Sequence, residues 1–444
     1  MRSGALFLLL ISTRAWAVGE TIVGIDVSGN TKTNTATVRD IAGVDEGDKV
    51  VDGLVERVTV DLQSCGLFKD VRVAIEPEVG SLSRVRMKIA ARDKHSWIIA
   101  PTFYNQPGNV GGGLGFGENN LFGRNKKMLL YAQIATADSF FLGGYMDPSI
   151  GGTRFYWRVD TILRRSKITE YDSPDEFLGQ PEPLRNATLD YLNGGLLFGM
   201  NLWKGFSIDG RLRGARVSYH DAAYVDGAEL DPSLPVVAEL PDDDGWDVST
   251  EWKLTRDYRS NWNGVTRGSV LQLQFDRSLT ALGSHWDYWG LGLRAQVYKK
   301  LLSTHNLALK TSIASGHHLP FQQEYTAGGV NLRGYKDKQF RGDFKAAGTL
   351  EYSFQLFWIG PLAFRTLGFW DTAYITFLQD EGNETRDYLP GQTEEKASRW
   401  RNGVGGGLRV YVKSIVLPLL GVDVGYGVEA HDYHIYFAVG LTEL

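Results

Sequence analysis

The chain has 444 residues with 52 Asp and Glu against 47 Lys and Arg, a formal net charge of −5. That balance argues against nucleic-acid binding, which calls for a clustered basic excess. An aromatic content of 12% with low net charge excludes a disordered chain, and a single cysteine, Cys65, excludes an intramolecular disulfide framework and a multi-thiolate metal site.

Residues 1–17 read as a secretory signal peptide. Arg2 is followed by an apolar run from Ala5 to Ile11 and by Ala15-Trp16-Ala17, an A-x-A cleavage site. The run is too short to cross a bilayer as a helix, which takes roughly 20 apolar residues. No other segment approaches a transmembrane helix, so any membrane span must be built from strands.

Residues 18–94 read as a small α/β domain in the order strand, helix, helix, strand, strand. Thr21–Val27 alternates into a turn at Gly29-Asn30, and Asn34 is placed to cap a helix ending near Gly43. After Gly47-Asp48, the residues Val51, Leu54, Val58, Leu62 and Cys65 recur at helical steps and predict one apolar face, with Gly66 as the C-terminal stop. On that face Cys65 is a small buried hydrophobe rather than a reactive thiol. Val71–Ile75 and Val85–Ala90 supply two closing strands.

Three segments of this domain carry a resemblance: Ile25-Asp26-Val27-Ser28-Gly29-Asn30, the Gly47-Asp48 helix entry, and Gly66-Leu67-Phe68-Lys69-Asp70-Val71. They resemble a POTRA domain, the periplasmic polypeptide-transport module of the outer-membrane protein assembly superfamily. The resemblance singles out Gly29, Asn30, Gly66, Phe68 and Val71.

From residue 95 to 444 the periodicity changes to two. In Leu271-Gln272-Leu273-Gln274-Phe275-Asp276 one face is apolar and the other polar, and Leu350–Leu356 repeats the split. The last strand sets Tyr433, Ile435, Phe437, Val439 and Leu441 against His434, Tyr436, Ala438, Gly440 and Thr442. A strand between lipid and a polar lumen alternates in this way. Aromatics near strand ends (Tyr145, Phe155, Tyr156, Trp157, Trp286 and Trp289) are assigned to interfacial girdles. Candidate strands begin near Trp97, Val110, Lys126, Ser139, Thr153, Ala187, Lys204, Gly245, Thr266, Trp286, Asn306, Ala346, Pro361, Arg401, Ser414 and Asp432. The pattern predicts a mainly β protein: a 16-stranded antiparallel transmembrane β-barrel. Tight turns at Asp138 and Gly421 are expected to alternate with long connections at 166–186, 221–244, 316–344 and 378–400.

The loop after the eleventh strand contains Ala327-Gly328-Gly329-Val330-Asn331-Leu332-Arg333-Gly334-Tyr335. It resembles the same superfamily's Gly-Gly…Arg-Gly-aromatic signature, of the BamA/TamA, bacterial-surface-antigen type. The resemblance implies that this loop folds back into the lumen, with Arg333 meeting acidic side chains, Gly334 making the turn and Tyr335 packing on the wall; Gly328, Gly329 and Leu332 complete the motif. Two acids match the expected partners. Glu351 lies on the polar side of its strand, and Asp371 falls in Gly368-Phe369-Trp370-Asp371-Thr372-Ala373, with Ala373 where the superfamily has glycine. Gly113–Gly123 resembles the second strand and turn, and Gly405–Val410 with Pro418–Val422 the penultimate hairpin. Two departures stand out: one POTRA domain where BamA and TamA carry several, and an end at Thr442-Glu443-Leu444 where the superfamily usually ends on an aromatic residue.

No phosphate-binding loop or nucleophile elbow is present. His431-Asp432-Tyr433-His434, His317-His318 and Asp242-Asp243-Asp244 read as solvated segments rather than metal sites, so no enzyme chemistry, metal or cofactor is expected. Function is then expected from strand edges. Pro101 in the first strand cannot donate a ladder hydrogen bond, so a weak seam is expected between Pro101 and Phe103 on one side and Ile435, Phe437 and Val439 on the other. The resemblance implies an outer-membrane protein, its POTRA domain in the periplasm, that folds and inserts β-barrel clients without ATP. The implied partners are the lipid bilayer, unfolded client polypeptides, and periplasmic chaperones or accessory lipoproteins. The alternative is a polypeptide-secreting translocator of the two-partner type.

Overall fold

A computed structural model describes residues 19–444 except 82, 172–180, 204, 229–234, 263–264, 379–399, 413–417 and 441–444. The signal-peptide expectation, the strand starts at Lys204 and Ser414, most of the 378–400 connection and the chain end lie outside the described residues. The chain divides into two units, one N-terminal and one formed by the barrel.

In the N-terminal unit the order is β1 (Thr21–Ser28), α1 (Thr35–Ala42), α2 (Leu54–Ser64), β2 (Phe68–Pro77) and β3 (Arg84–Asp93). The sheet order is β1-β3-β2, with β1 parallel and β2 antiparallel to the central strand. Both helices bury one stripe: Val38 and Ala42 from α1, Leu54, Val58 and Leu62 from α2, packed with Ile22, Phe68, Met87 and Ile89. Gly43, in the left-handed region, ends α1, and Gly66, also left-handed, lies just past the end of α2. Asn34 holds the N-cap position of α1, although its side chain makes no cap hydrogen bond. Cys65 packs partly buried against the core, its thiol on the Leu62 carbonyl. Val51, expected on the helical face, precedes the helix and is exposed, because Gly53 in the left-handed region starts the helix later.

Sixteen antiparallel strands close the barrel: β4 (Trp97–Gln106), β5 (Asn109–Leu121), β6 (Lys126–Ala135), β7 (Asp138–Asp147), β8 (Phe155–Tyr171), β9 (Pro183–Trp203), β10 (Phe206–Tyr224), β11 (Gly245–Asp257), β13 (Val265–Ser278), β14 (Tyr288–Lys300), β15 (His305–His317), β18 (Phe344–Ile359), β19 (Leu362–Thr376), β20 (Trp400–Val412), β21 (Pro418–Gly427) and β22 (Asp432–Val439). A three-residue arm, β12 (Ser260–Trp262), pairs on β13. The fourteen expected strand starts that fall on described residues each lie within four residues of an observed one. Alternation decides which face each residue takes. Leu271, Leu273 and Phe275 are exposed on the outside, while their neighbours Gln272, Gln274 and Asp276 face inward.

The connections sort by end. Residues 172–182, 225–244, 318–343 and 377–399 join strands at one end, and 122–125, 148–154, 205, 301–304 and 360–361 at the other. Long loops on one side and short turns on the other are the outer-membrane arrangement. Three expectations are corrected here. The 166–186 and 221–244 connections are shorter than expected, since β8, β9 and β10 run 17, 21 and 19 residues and go on pairing beyond a tilted span of roughly 10 residues. The short turn before Asp138 lies on the long-loop end. Gly421 is no turn; it pairs with Ala438 inside β21. Tyr156 and Trp286 also depart from the expected girdles. Tyr156 falls on the inward parity of β8 and donates to Asp209, while Trp286 is buried with Tyr219, Tyr288 and Phe321. Phe155 stays exposed, Tyr145 packs on Trp157 and Trp289 stacks on His317.

Candidate functional site

The 318–343 connection turns into the lumen. Its stem is a short hairpin, β16 (Tyr325–Ala327) with β17 (Phe340–Gly342), and its tip is Gly328–Gln339. Ala327, Leu332, Tyr335 and Phe340 form a buried cluster with Ala373 and Ile375 of β19. Ala373, standing where the resembled motif has glycine, is accommodated inside that cluster.

Arg333 is 3% exposed and surrounded by acids on the inward faces of β19 and β21. Its Nε donates to Asp371 Oδ2 at 2.7 Å, its Nη2 to Asp371 Oδ1 at 2.9 Å, and its main-chain N–H to the same carboxylate at 3.1 Å. Nη1 donates to Asp423 Oδ2 at 2.9 Å. The guanidinium lies 3.3 Å from the centroid of the Phe369 ring, a stacking that adds to the two-pronged carboxylate bond. Asp423 also accepts two hydrogen bonds from Arg409, at 2.5 and 2.8 Å. Two guanidinium groups and two carboxylates therefore neutralise one another, as burial of charge requires. Glu351 falls on the inward parity of β18, but the described hydrogen bonds of Arg333 go to Asp371 and Asp423.

The wall beneath the tip is flat because glycine makes it so. A Cβ on Gly403 of β20 would strike the Arg333 carbonyl, one on Gly425 of β21 the Arg333 Cβ and Gly334 N–H, and one on Gly427 the Gly334 carbonyl. Gly334 itself has φ +105° and faces main chain at Tyr426–Gly427, a conformation and a closeness that only glycine accepts. Its N–H donates to the Tyr436 hydroxyl of β22 at 2.9 Å, and that hydroxyl donates to the Tyr335 carbonyl at 2.9 Å. The Tyr335 hydroxyl donates to Glu429 Oε2 at 2.6 Å, and Glu429 also accepts from Asn402 N and Nδ2, each at 2.7 Å. Burial works to raise the Glu429 pKa, but these hydrogen bonds outweigh it and hold the carboxyl below its usual range. Gly328 and Gly329 both have positive φ at the entry of the tip, and Leu332 is fully buried.

The opposite side of the loop is anchored as well. Phe321 N–H donates to Asp242 at 2.9 Å, Gln323 donates to Asp247 at 2.8 Å, and the Tyr219 hydroxyl to Gln322 at 2.7 Å. Arg341 binds Glu324 at 2.9 Å and the Phe321 carbonyl at 2.6 Å. The Asp242–Asp244 run is thus occupied in holding main chain, with Asp244 accepting from Ser218 and Tyr219 N–H.

Among the described residues the seam joins β22 to β4 through three registered pairs, Phe437 with Asn105, Ala438 with Tyr104 and Val439 with Phe103. By contrast β4 makes ten pairs with β5, and β22 eight with β21. The rings of Phe103 and Phe437 meet edge to face at 6.0 Å. Of the residues expected at the seam, Ile435 falls outside these pairs and is registered with Val424, while Pro101, registered with Leu114 on its other edge, has its carbonyl against Gly440 just past the last pair. In the N-terminal unit, Gly29 is left-handed at the end of β1, Asn30 donates to the Thr33 carbonyl, Phe68 is in the core and Val71 packs partly against it.

Sequence reading missed Asp423, Arg409, Phe369 and Glu429. The usable signal was parity: on β20 and β21 every inward position from 403 to 407 and 423 to 427 is Gly or Asp, leaving a bare strip of wall with one carboxylate.

A barrel of sixteen strands, with an infolded loop whose arginine is clamped by wall carboxylates, defines an outer-membrane protein of the assembly and translocation class. The Omp85 superfamily domain matches residues 120–442, and the chain belongs to that superfamily. Among solved structures it is similar to BamA from Haemophilus ducreyi lacking POTRA domains 1–3, with 16% identity, 95% of this chain and 84% of that one covered, and a TM-score of 0.65. It is also similar to CdiB from Acinetobacter baumannii (14%, covering 95% and 74%, TM-score 0.65) and to CdiB from Escherichia coli (13%, covering 95% and 76%, TM-score 0.66). A search of curated protein sequences returned no significant match.

Proposed function

We propose that the protein folds and inserts β-barrel client proteins into the outer membrane through the β4–β22 seam, without ATP. The observation that carries this reading is the short seam, three registered pairs among the described residues against ten between β4 and β5 and eight between β21 and β22. In lipid every unpaired backbone group is costly, so a short ladder is the easiest place for strands to part and a parted edge is a template for an incoming strand. A client hairpin that forms a longer ladder with β4 than β22 offers supplies the driving force from its own folding. In this reading the N-terminal unit is a POTRA domain that receives extended client segments by strand addition at the β1 or β2 edge. Its suppliers are periplasmic chaperones, with accessory lipoproteins as further partners.

The test is the folding rate of a urea-unfolded outer-membrane protein mixed with liposomes, with and without this protein embedded. Acceleration that is lost in Arg333→Ala supports insertion dependent on the clamped loop. No acceleration across several clients removes the insertion reading and leaves polypeptide secretion through the lumen.

A further inference from the structure

The lumen loop meets both banks of the seam, and it holds them unequally. On the β22 bank it exchanges hydrogen bonds with Tyr436 and is clamped through Arg333 to β19 and β21. On the β4 bank, among the described residues, it makes two hydrogen bonds. The Asp337 N–H donates to the Pro107 carbonyl in the β4–β5 turn at 3.2 Å, and Lys338 Nζ donates to Asp138 Oδ2 at the start of β7 at 2.7 Å. The turn that presents Lys338 is built for it: the Lys336 N–H is closed onto Gln339 Oε1 at 2.9 Å, and Lys338 has φ +53°, unfavourable for a residue with a Cβ. Asp138 is held from the other side by the Ser166 hydroxyl. The ion pair is half open to water, with Lys338 39% and Asp138 15% exposed, whereas the Arg333 clamp is buried.

We propose that Lys338 is a positioning residue for strand exchange: with the Asp337 main chain it latches the loop onto the first strands and so closes the seam from inside. When the seam parts, these two contacts release together with the three ladder pairs, and the loop stays with β19–β22. The inference rests on the insertion reading for its purpose but not for its geometry.

Nitroxide labels at Val110→Cys and Ile435→Cys, outward residues on β5 and β22, report the seam width in nanodiscs of phosphatidylcholine, with Cys65→Ser removing the native thiol. Lys338→Ala is expected to raise the long-distance population about three- to five-fold, the effect of losing a half-exposed ion pair. Lys338→Arg keeps the original distribution, and the exchange Lys338→Asp with Asp138→Lys restores it. Should Lys338→Ala fail to fold, Asp138→Asn gives the same readout while keeping its Ser166 partner. An unchanged distance distribution, even with lower thermal stability, means that the pair only supports the fold and overturns the latch. A wider seam without faster client folding keeps the latch and removes the insertion reading.

Discussion

Removing the guanidinium of Arg333 leaves its two carboxylate partners in different positions. Asp423 keeps both hydrogen bonds from Arg409. Asp371 keeps only the main-chain N–H of residue 333 and becomes a buried, nearly uncompensated charge. Truncating one partner of a buried ion pair costs about 3–5 kcal/mol, and the lost stacking on Phe369 adds about 1 kcal/mol. Arg333→Ala is therefore expected to destabilise the docked loop by about 4–6 kcal/mol, and Asp371→Asn by less. Arg333→Met with Asp371→Leu, which removes both charges, should recover at least half of the sum of the single losses. Urea unfolding in micelles, together with trypsin access to Lys336 and Lys338 from the loop side, reads both quantities. Additive single costs below about 1 kcal/mol with unchanged protease protection would refute the clamp. The charge exchange Arg333→Glu with Asp371→Arg is expected to rescue only partly, since Asp423 remains to repel the new glutamate.

Gly403→Ala drives a methyl group into the Arg333 carbonyl, so it should release the loop to trypsin while the barrel keeps its folded gel migration; retained protection would contradict the glycine platform. Phe103→Cys with Val439→Cys, directly opposite at the seam, is expected to form a disulfide under oxidation and to abolish client folding until reduced. Full activity in the oxidised form would sink the seam reading. Glu429 titrates below its unfolded value, so its contribution is complete at neutral pH and is lost as pH falls below about 4. Loop protection measured from pH 7 downward should hold near neutrality and fall in the acid range, by less in Tyr335→Phe, which has lost one of the hydrogen bonds that hold the Glu429 carboxyl down.

The strands were legible because lipid and lumen impose opposite demands on successive residues, and sixteen stretches of the sequence obey them. Legibility failed where that two-solvent rule stops applying. Above the membrane β8 to β10 keep pairing with charged residues on both faces, so Lys167, Glu170 and Arg185 read as loop while the ladder continues through them. Inside the lumen, contacts join residues far apart in sequence: Arg333 to Asp423 spans 90 positions and Tyr335 to Glu429 spans 94. Asp423 lies one residue past the quoted Pro418–Val422 segment, and nothing local in the sequence says which cation it meets. Asp371 was named from a resemblance to a strand motif; Arg409, which shares Asp423 with the loop arginine, sat beside a quoted glycine run with nothing local to mark it. The seam was approached through Pro101, and among the described residues the registered ladder lies at Phe103–Asn105, with the Pro101 carbonyl against Gly440 just past it.

The distribution of strength around the barrel follows from these contacts. A backbone hydrogen bond contributes roughly 0.5–1.5 kcal/mol net, so a ladder of three pairs is worth a few kcal/mol, comparable to the Arg333 clamp alone. Were the loop absent, the described contacts joining the first strand to the last would be that ladder, the Phe103–Phe437 contact and the approach of Gly440 to Pro101 and Thr102. With the loop docked, β22 is held by Tyr436, and β19 and β21 by two arginines, so the C-terminal strands form a braced wall. The first strands have a different support. The Tyr131 hydroxyl on β6 reaches Thr102 of β4 at 2.7 Å across β5, and Gln133 donates to Tyr104 at 2.9 Å, tying β4 to its own neighbours. Each bank is thus stiffened internally and joined to the other by few bonds. A barrel built this way opens at one line without unravelling, which is the mechanical condition for exchanging strands with a client and closing again.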